Sequence, residues 1–251
     1  MARFGKKRVD LLPGVLLLAV WEIAGGRYID LLYTSKPSII LVRTLEYVRS
    51  PEGLRDLQVT FTELGWGFLF GALGAVFFGY VLGASKTLSR VFEPYVMVLY
   101  GVPQSALAPL LIIWFGIGLM SKIFIVGMMV FFLTFYNTFL GVRSVEPEFI
   151  HIAQIIGASR WQVIRWVVVP SVAPFIFMGI KVSIPRAVIG VIIGEFVASR
   201  AGIGHYILFS TGQFDTAGIF AGIIVLLLAI LFSNLLLEAV RTRVLRWQDV
   251  S

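Results

Sequence analysis

Residues 148–170 read EFIHIAQIIGASRWQVIRWVVVP, the only long interior segment that is both amphipathic and charge-bearing in an otherwise strongly apolar chain. Phe149, Ile152, Ala153 and Ile156 recur at i, i+3, i+4 and i+7 and so share one helical face. Gly157 follows, a residue that takes the left-handed conformation ending a helix. Ser159, with Gln162 three residues on, is a capping-box pattern that opens a second helix, and Pro170 closes it by withholding its N–H. The predicted unit is a helix-turn-helix elbow outside a membrane, with Gly157, Ala158 and Ser159 at its turn. An amphipathic helix resting on lipid headgroups fits the same pattern.

The membrane itself is read from composition. Of 251 residues 58% are apolar and only 14% charged. Charge-free runs cover Leu64 to Ser85, Pro94 to Ser121, Ile123 to Val142 and Thr216 to Leu237, each near the roughly 20 residues a bilayer core requires. A further span, from about Pro174 to Val197, carries Lys181, Arg186 and Glu195. Leu11 to Ala24 follows Arg3, Lys6, Lys7 and Arg8 and has the makeup of a signal peptide. Trp21 and Glu22 stand where cleavage needs small residues, so it reads as an uncleaved anchor. The prediction is an all-α membrane protein of six spans.

Orientation is read from the basic residues. Lys86, Arg90, Arg143, Arg160, Arg165, Arg241, Arg243 and Arg246 fall on the side of the N-terminal tail, against Lys122 and Arg200 in short loops opposite. Basic residues concentrate on the cytoplasmic side, which predicts cytoplasmic termini. The outer segment from Arg27 to Arg55 holds five basic residues, partly offset by Glu46, Glu52 and Asp56. Within it Ser35, Pro37, Leu41, Leu45 and Val48 predict a capped amphipathic helix lying on the surface. The net charge of +7 is then a membrane feature, with no aromatic-interleaved basic stripe for nucleic acid. With no cysteine, disulfides and thiolate metal sites are excluded.

Inside the spans, Gly67, Gly71, Ala75, Gly79 and Gly83 recur at four-residue spacing, a ridge that lets another helix approach closely. That helix could belong to the same chain or to a second copy. Pro103 and Pro109 would bend the third span beside Gln104 and Ser105, which, with Asn137, Arg186 and Glu195, are candidates for a translocation path. An Arg near the midplane costs roughly 2.5 to 3.5 kcal/mol unless it faces protein or water. Arg186 and Glu195 are nine residues apart and lie on opposite helix faces, so each needs a partner elsewhere. Arg186 fits either the lining of an anion path or a structural role, bonded to carbonyls freed by Pro185 or Pro103.

Catalytic equipment is missing. His151 and His205 have no carboxylate or Cys at ligand spacing, so no metal site is predicted. Gly79 to Thr87 lacks the Gly-Lys-Thr adjacency of a phosphate loop and ends a helix rather than opening one after a strand.

Ala153, Gly157 four residues on, and Val167-x-Val169-Pro170 together resemble the EAA loop of ABC importer permeases. The family pattern is Glu-Ala-Ala, three residues, Gly, nine residues, Ile-x-Leu-Pro. Here His151 and Ile152 stand at its first two positions, so the carboxylate that names the motif is absent. The resemblance runs from about residue 56 to the C-terminus, through APLLIIWFGIG at 108–118, GIKVSIPRAVI at 179–189 and Glu195. It is to the nitrate, sulfonate, taurine and bicarbonate branch.

The resemblance implies a type I (MetI-like) importer core in residues 56–251, the last five spans. Residues 1–55 would then be an N-terminal transmembrane anchor and outer amphipathic segment. The elbow would be a coupling helix seated on a separate ATPase, docking through Phe149, Ile152, Ala153, Ile156, Gly157, Ala158 and Ser159. It further implies a permease of the bacterial inner membrane, non-catalytic and with no cofactor of its own. ATP and Mg would be bound by two partner ATPase subunits. A second permease copy and an extracytoplasmic solute-binding protein complete the assembly, and the cargo would be a small oxyanion, a neutral vitamin precursor or a pyrimidine. A secondary transporter driven by an ion gradient would instead want paired ionisable groups at the midplane, and a membrane-embedded enzyme a His, Ser or carboxylate constellation within the spans.

Overall fold

The computed structural model describes residues 3–245, with side chains from residue 12 onward. The side chains of Arg3, Lys6, Lys7 and Arg8, and all of Arg246, lie outside the described residues. The elements are helices: α1 (Arg3–Ala24), α2 (Leu31–Thr34), α3 (Pro37–Arg49), α4 (Pro51–Ala84) and α5 (Lys86–Gly101). A 3-10 turn at Gln104–Leu107 leads to α6 (Ala108–Phe115), and then come α7 (Leu119–Arg143), α8 (Pro147–Ile155) and α9 (Arg160–Val163). A π-helical turn at Ile164–Val168 joins α9 to α10 (Val169–Ala198), and α11 (Ile203–Gly212) and α12 (Thr216–Val244) follow.

Among the described residues, four helices are long and apolar enough to cross a membrane: α4, α7, the continuous helix Arg160–Ala198, and α12. The pair Lys86–Gly101 and Gln104–Phe115 makes a fifth span if counted as one, and it is bent by 80°. Leu12–Ala24 is a shorter apolar helix, at the place of the sixth predicted span. The predicted span from Pro94 to Ser121 is therefore two helices and not one bent helix. Val102 is pushed into extended backbone (ψ 131°) by the proline after it, and Pro103 itself carries no N–H to continue the ladder. Pro109 does not bend anything, because it sits in the first turn of α6, where a proline is tolerated.

The chain divides into two compact units. One comprises residues up to Thr60 with Arg200–Leu228; the other comprises Phe61–Ser199 and the chain from Ala229. In the first unit α3 starts after Lys36, with Pro37 in its first turn, and Ser35 is not its cap. Glu22 of α1 takes that role, accepting hydrogen bonds from the Ser38 backbone N–H (3.0 Å) and Oγ (2.7 Å). The predicted face of Leu41 and Leu45 is exposed, and α3 packs instead through Ile40, Thr44 and Tyr47. The helix is where periodicity predicts it, with Leu41 and Leu45 outward, and its other side is held by Tyr47, which stacks on Tyr206 at 3.7 Å and donates a hydrogen bond to Asp56. Asp56 and Thr60 accept from the N–H groups of Gly202 (2.7 Å) and Ile203 (2.8 Å), capping the start of α11. Burial raises the Tyr206 phenol above its ordinary range, and the hydrogen bond to Asp215 raises Arg43.

In the second unit α7 is the central helix. Val126 and Val130 form a core with Ala187 and Val191 of α10, covered by Leu64, Phe68 and Ala72 of α4. The small-residue ridge of α4 lies against α7 of the same chain. A Cβ on Gly71 would stand 2.5 Å from the Gly127 carbonyl oxygen, and one on Gly83 2.8 Å from Val142. Ala75 between them is fully buried. Such spacing brings two backbones together, so dispersion and packing supply the attraction that lipid does not.

Candidate functional site

The elbow is built by local chemistry. Glu146 precedes α8, Pro147 opens it, and Glu148 in the first turn complements the positive end of the helix dipole. At the far end Ala158 N–H donates to the Ala153 carbonyl and Gly157 N–H to that of Gln154, both at 3.0 Å. This is the Schellman arrangement, and it requires Gly157 at φ +85°. A Cβ on Gly157 would meet nothing within 4 Å, so backbone conformation and not space selects glycine here.

Ser159 then caps α9, with both bonds of the predicted capping box in place. Its Oγ accepts from Gln162 N–H at 3.4 Å, and Gln162 Oε1 accepts from Ser159 N–H at 2.7 Å. Pro170 does not stop this helix as predicted. The π turn ahead of it shifts the ladder, so that Val169 N–H donates to Ile164, and the missing N–H falls within that shift. The second arm of the elbow is thus the first turns of a 39-residue helix that continues to Ala198, and not a separate surface helix.

The two faces of α8 differ sharply. Ile150 and Ala153, with Ala158 of the turn, pack on Val142, Val163, Val168 and Val172. Phe149 and Ile152 point outward at 55% and 57% exposure, and Ile155 and Ile156 at 83% and 79%. Ala153 therefore anchors the elbow to its own bundle, and Ile155 joins Phe149, Ile152 and Ile156 on the outward face. This contiguous exposed apolar patch is what a partner could cover.

The translocation-path candidates are not brought into one cavity. Gln104 and Ser105 sit at the break between α5 and α6. The Asn137 amide donates to the Leu133 carbonyl of its own helix at 2.8 Å. Arg186 is exposed, with no hydrogen bond or ion pair to another described residue. Glu195 is fully buried, and its surroundings escaped the sequence reading. Lys122 Nζ, on a side chain 5% exposed, donates to Glu63 Oε1 at 2.7 Å and to Ser199 Oγ at 2.8 Å. Glu195, itself fully buried, neighbours Glu63 beside this pair. In the sequence Glu63 and Lys122 each end or interrupt an apolar run, a pattern that marks a span boundary and carries no sign of a buried pair. Lys181 also has a partner, Glu238 at 3.7 Å, with both side chains about half exposed.

Comparison with known proteins gives these features a context. Residues 67–246 match the family of the binding-protein-dependent transport system inner membrane component. The putative aliphatic sulfonates transport permease SsuC of Bacillus subtilis (strain 168) is 29% identical, covering 98% of this chain and 91% of that protein. The riboflavin transport system permease RibX of Chloroflexus aurantiacus (strain ATCC 29366 / DSM 635 / J-10-fl) is 36% identical over 65% of this chain and 61% of its own length. The fold is shared with a chain of a bacterial alginate ABC transporter, solved with its alginate pentasaccharide-bound periplasmic protein. The match has a TM-score of 0.61 at 19% identity, over 95% of this chain and 96% of that one.

Proposed function

The chain belongs to the family of inner membrane components of binding-protein-dependent transport systems, and from that premise we propose how it works as the permease of an ABC importer. In this reading residues 56–251 form the importer domain and residues 1–55 its anchor and outer segment. Both termini and the elbow face the cytoplasm. Two ATPase subunits, which hold ATP and Mg, dock on the elbow, and a second copy of the chain and an extracytoplasmic solute-binding protein complete the assembly. ATPase closure pushes α8, and the 39-residue helix carries that displacement through the membrane. The supporting observation is the outward patch of Phe149, Ile152, Ile155 and Ile156 on an otherwise fully capped and anchored elbow.

The cargo in this reading is a small organic or inorganic oxyanion, supported by the sulfonate relative along nearly the whole chain. The riboflavin relative favours a second reading, a neutral vitamin-like solute, with the choice made by the binding protein. Because the chain has no cysteine, Ile152→Cys gives a unique handle on the elbow. In cells that also express the ATPase, this variant should cross-link to it and resist impermeant thiol reagents applied outside. Labelling from outside intact cells would overturn both the orientation and the docking role.

A further inference from the structure

At the elbow end of the second unit, a cavity of about 640 Å³ opens where α4 ends, α5 begins and α7 ends. Lys86, Arg90, Arg143 and Glu93 line it, together with residues that include Tyr80 and Val142. Arg143 is already engaged, donating to Glu93 Oε2 at 2.7 Å and to the buried Ser89 Oγ at 3.4 Å. The one carboxylate is therefore spent on Arg143. Lys86 and Arg90 are exposed and make no ion pair among the described residues, so the cavity carries two uncompensated positive charges.

We propose that this cavity holds the phosphate headgroup of an anionic phospholipid. Three observations support the assignment together. The cavity lies at the ends of two membrane-crossing helices, which is headgroup depth. Its lining also includes the apolar Val142, Val145, Ile150 and Val168, against which the glycerol and upper acyl chains of a lipid could lie. Its free charge is positive and comes from two residues one turn apart on α5, spaced to share one phosphate. Each Lys or Arg near an anionic lipid surface adds about 1 kcal/mol of attraction, close to fivefold, and basic pockets between membrane helices bind anionic headgroups. Pro147 and Ile150 of α8 also line the cavity, so an occupant braces the root of the elbow.

The full-length chain, purified from vesicles of phosphatidylcholine with phosphatidylglycerol, tests this by native mass spectrometry of retained lipid. Phosphatidylglycerol should stay bound to the wild type. The double variant Lys86→Gln, Arg90→Gln should hold it about thirtyfold more weakly. The charge-keeping pair Lys86→Arg, Arg90→Lys should retain it, which separates loss of charge from loss of fold. Arg243→Gln removes a cation on the same side of the membrane but outside the cavity, and should change nothing. Equal losses in Arg243→Gln and the double variant would mean diffuse attraction and overturn the site, as would undiminished lipid in the double variant. Inorganic phosphate alone displacing the lipid at millimolar concentration would assign the cavity to a free anion and sink the lipid assignment.

Discussion

The two ends of α7 handle polarity in opposite ways. At its start, Lys122, Glu63, Glu195 and Ser199 are drawn together in a dry interior, with Glu63 and Lys122 at 2% and 5% side-chain exposure. After its end, the elbow satisfies its polar groups locally by a Schellman turn and a capping box, and turns isoleucines to the outside. The first arrangement pairs its charges within the chain, Lys122 with Glu63 Oε1, and leaves Glu63 Oε2 buried without a hydrogen-bond partner among the described residues. The second leaves apolar surface uncovered and so calls for a partner. An ion pair that has already been desolvated resists movement, because separating the charges would leave each unpaired in a poor solvent for it. A capped helix with an apolar outer face moves as a body. In the proposed mechanism the contrast makes a fixed end and a driven end of one central helix.

The largest expected effect lies at the fixed end. Lys122→Met removes the ammonium that pairs with Glu63 and leaves that buried carboxylate without its counter-charge. Breaking a buried pair from one side costs about 3 to 5 kcal/mol. The melting temperature of the purified chain in detergent should fall steeply or the protein should fail to accumulate. Glu195→Gln provides the opposite arm, since it removes a carboxylate beside Glu63, leaves the Glu63–Lys122 pair in place and adds an amide donor there. That variant should melt at or above the wild-type temperature. Equal destabilisation by both would mean that the cluster is held by packing and not by charge balance.

A smaller effect separates the two faces of the driven end. Ala153→Asp places a carboxylate against Val142, Val163 and Val168, and at a half-buried site this costs on the order of 2 kcal/mol. Ile152→Asp, one residue away on the exposed face, should change stability by no more than about 0.5 kcal/mol. Its effect should appear in coupling, as a stable chain that no longer retains the ATPase on co-purification. Unfolding curves beside pull-downs distinguish the two. If Ile152→Asp retained an active ATPase while Ala153→Asp lost it with a normal melt, the faces would be assigned the wrong way round.

The two ends were not equally legible in the sequence. The elbow's caps join residues three to five positions apart, so Gly157, Ser159 and Gln162 announced them directly. Their consequences beyond the local chain were less visible. Periodicity grouped Ala153 with Phe149 and Ile152, but a helical stripe does not say which edge of it meets the bundle. Pro170 looked like a stop because nothing in the sequence marks a π turn. The fixed end joins Lys122 to Glu63 across 59 residues and to Ser199 across 77, separations that no local pattern spans. The α4 ridge was legible as a ridge, while its partner, Gly127 and Val142 of α7, emerged only from the packing.

Arg186 carries the smallest expected effect on the fold and sharpens the comparison, because the sequence alone set it beside Glu195 as an intramembrane charge. Glu195 is fully buried and belongs to the fixed end, whereas Arg186 is exposed and bonds to no other described residue. Among the described residues no carbonyl freed by Pro185 or Pro103 depends on it, so Arg186→Gln should leave the melting temperature of the purified chain unchanged. An exposed cation inside a membrane is nonetheless costly unless it meets water or another protein surface. Uptake in proteoliposomes with the ATPase and binding protein then decides between those two. If Arg186 lines a watery path, Arg186→Gln should assemble normally and slow anionic solutes more than neutral ones. If it sits between two copies of the chain, uptake of every solute should fall together, in proportion to the complex recovered by size-exclusion chromatography.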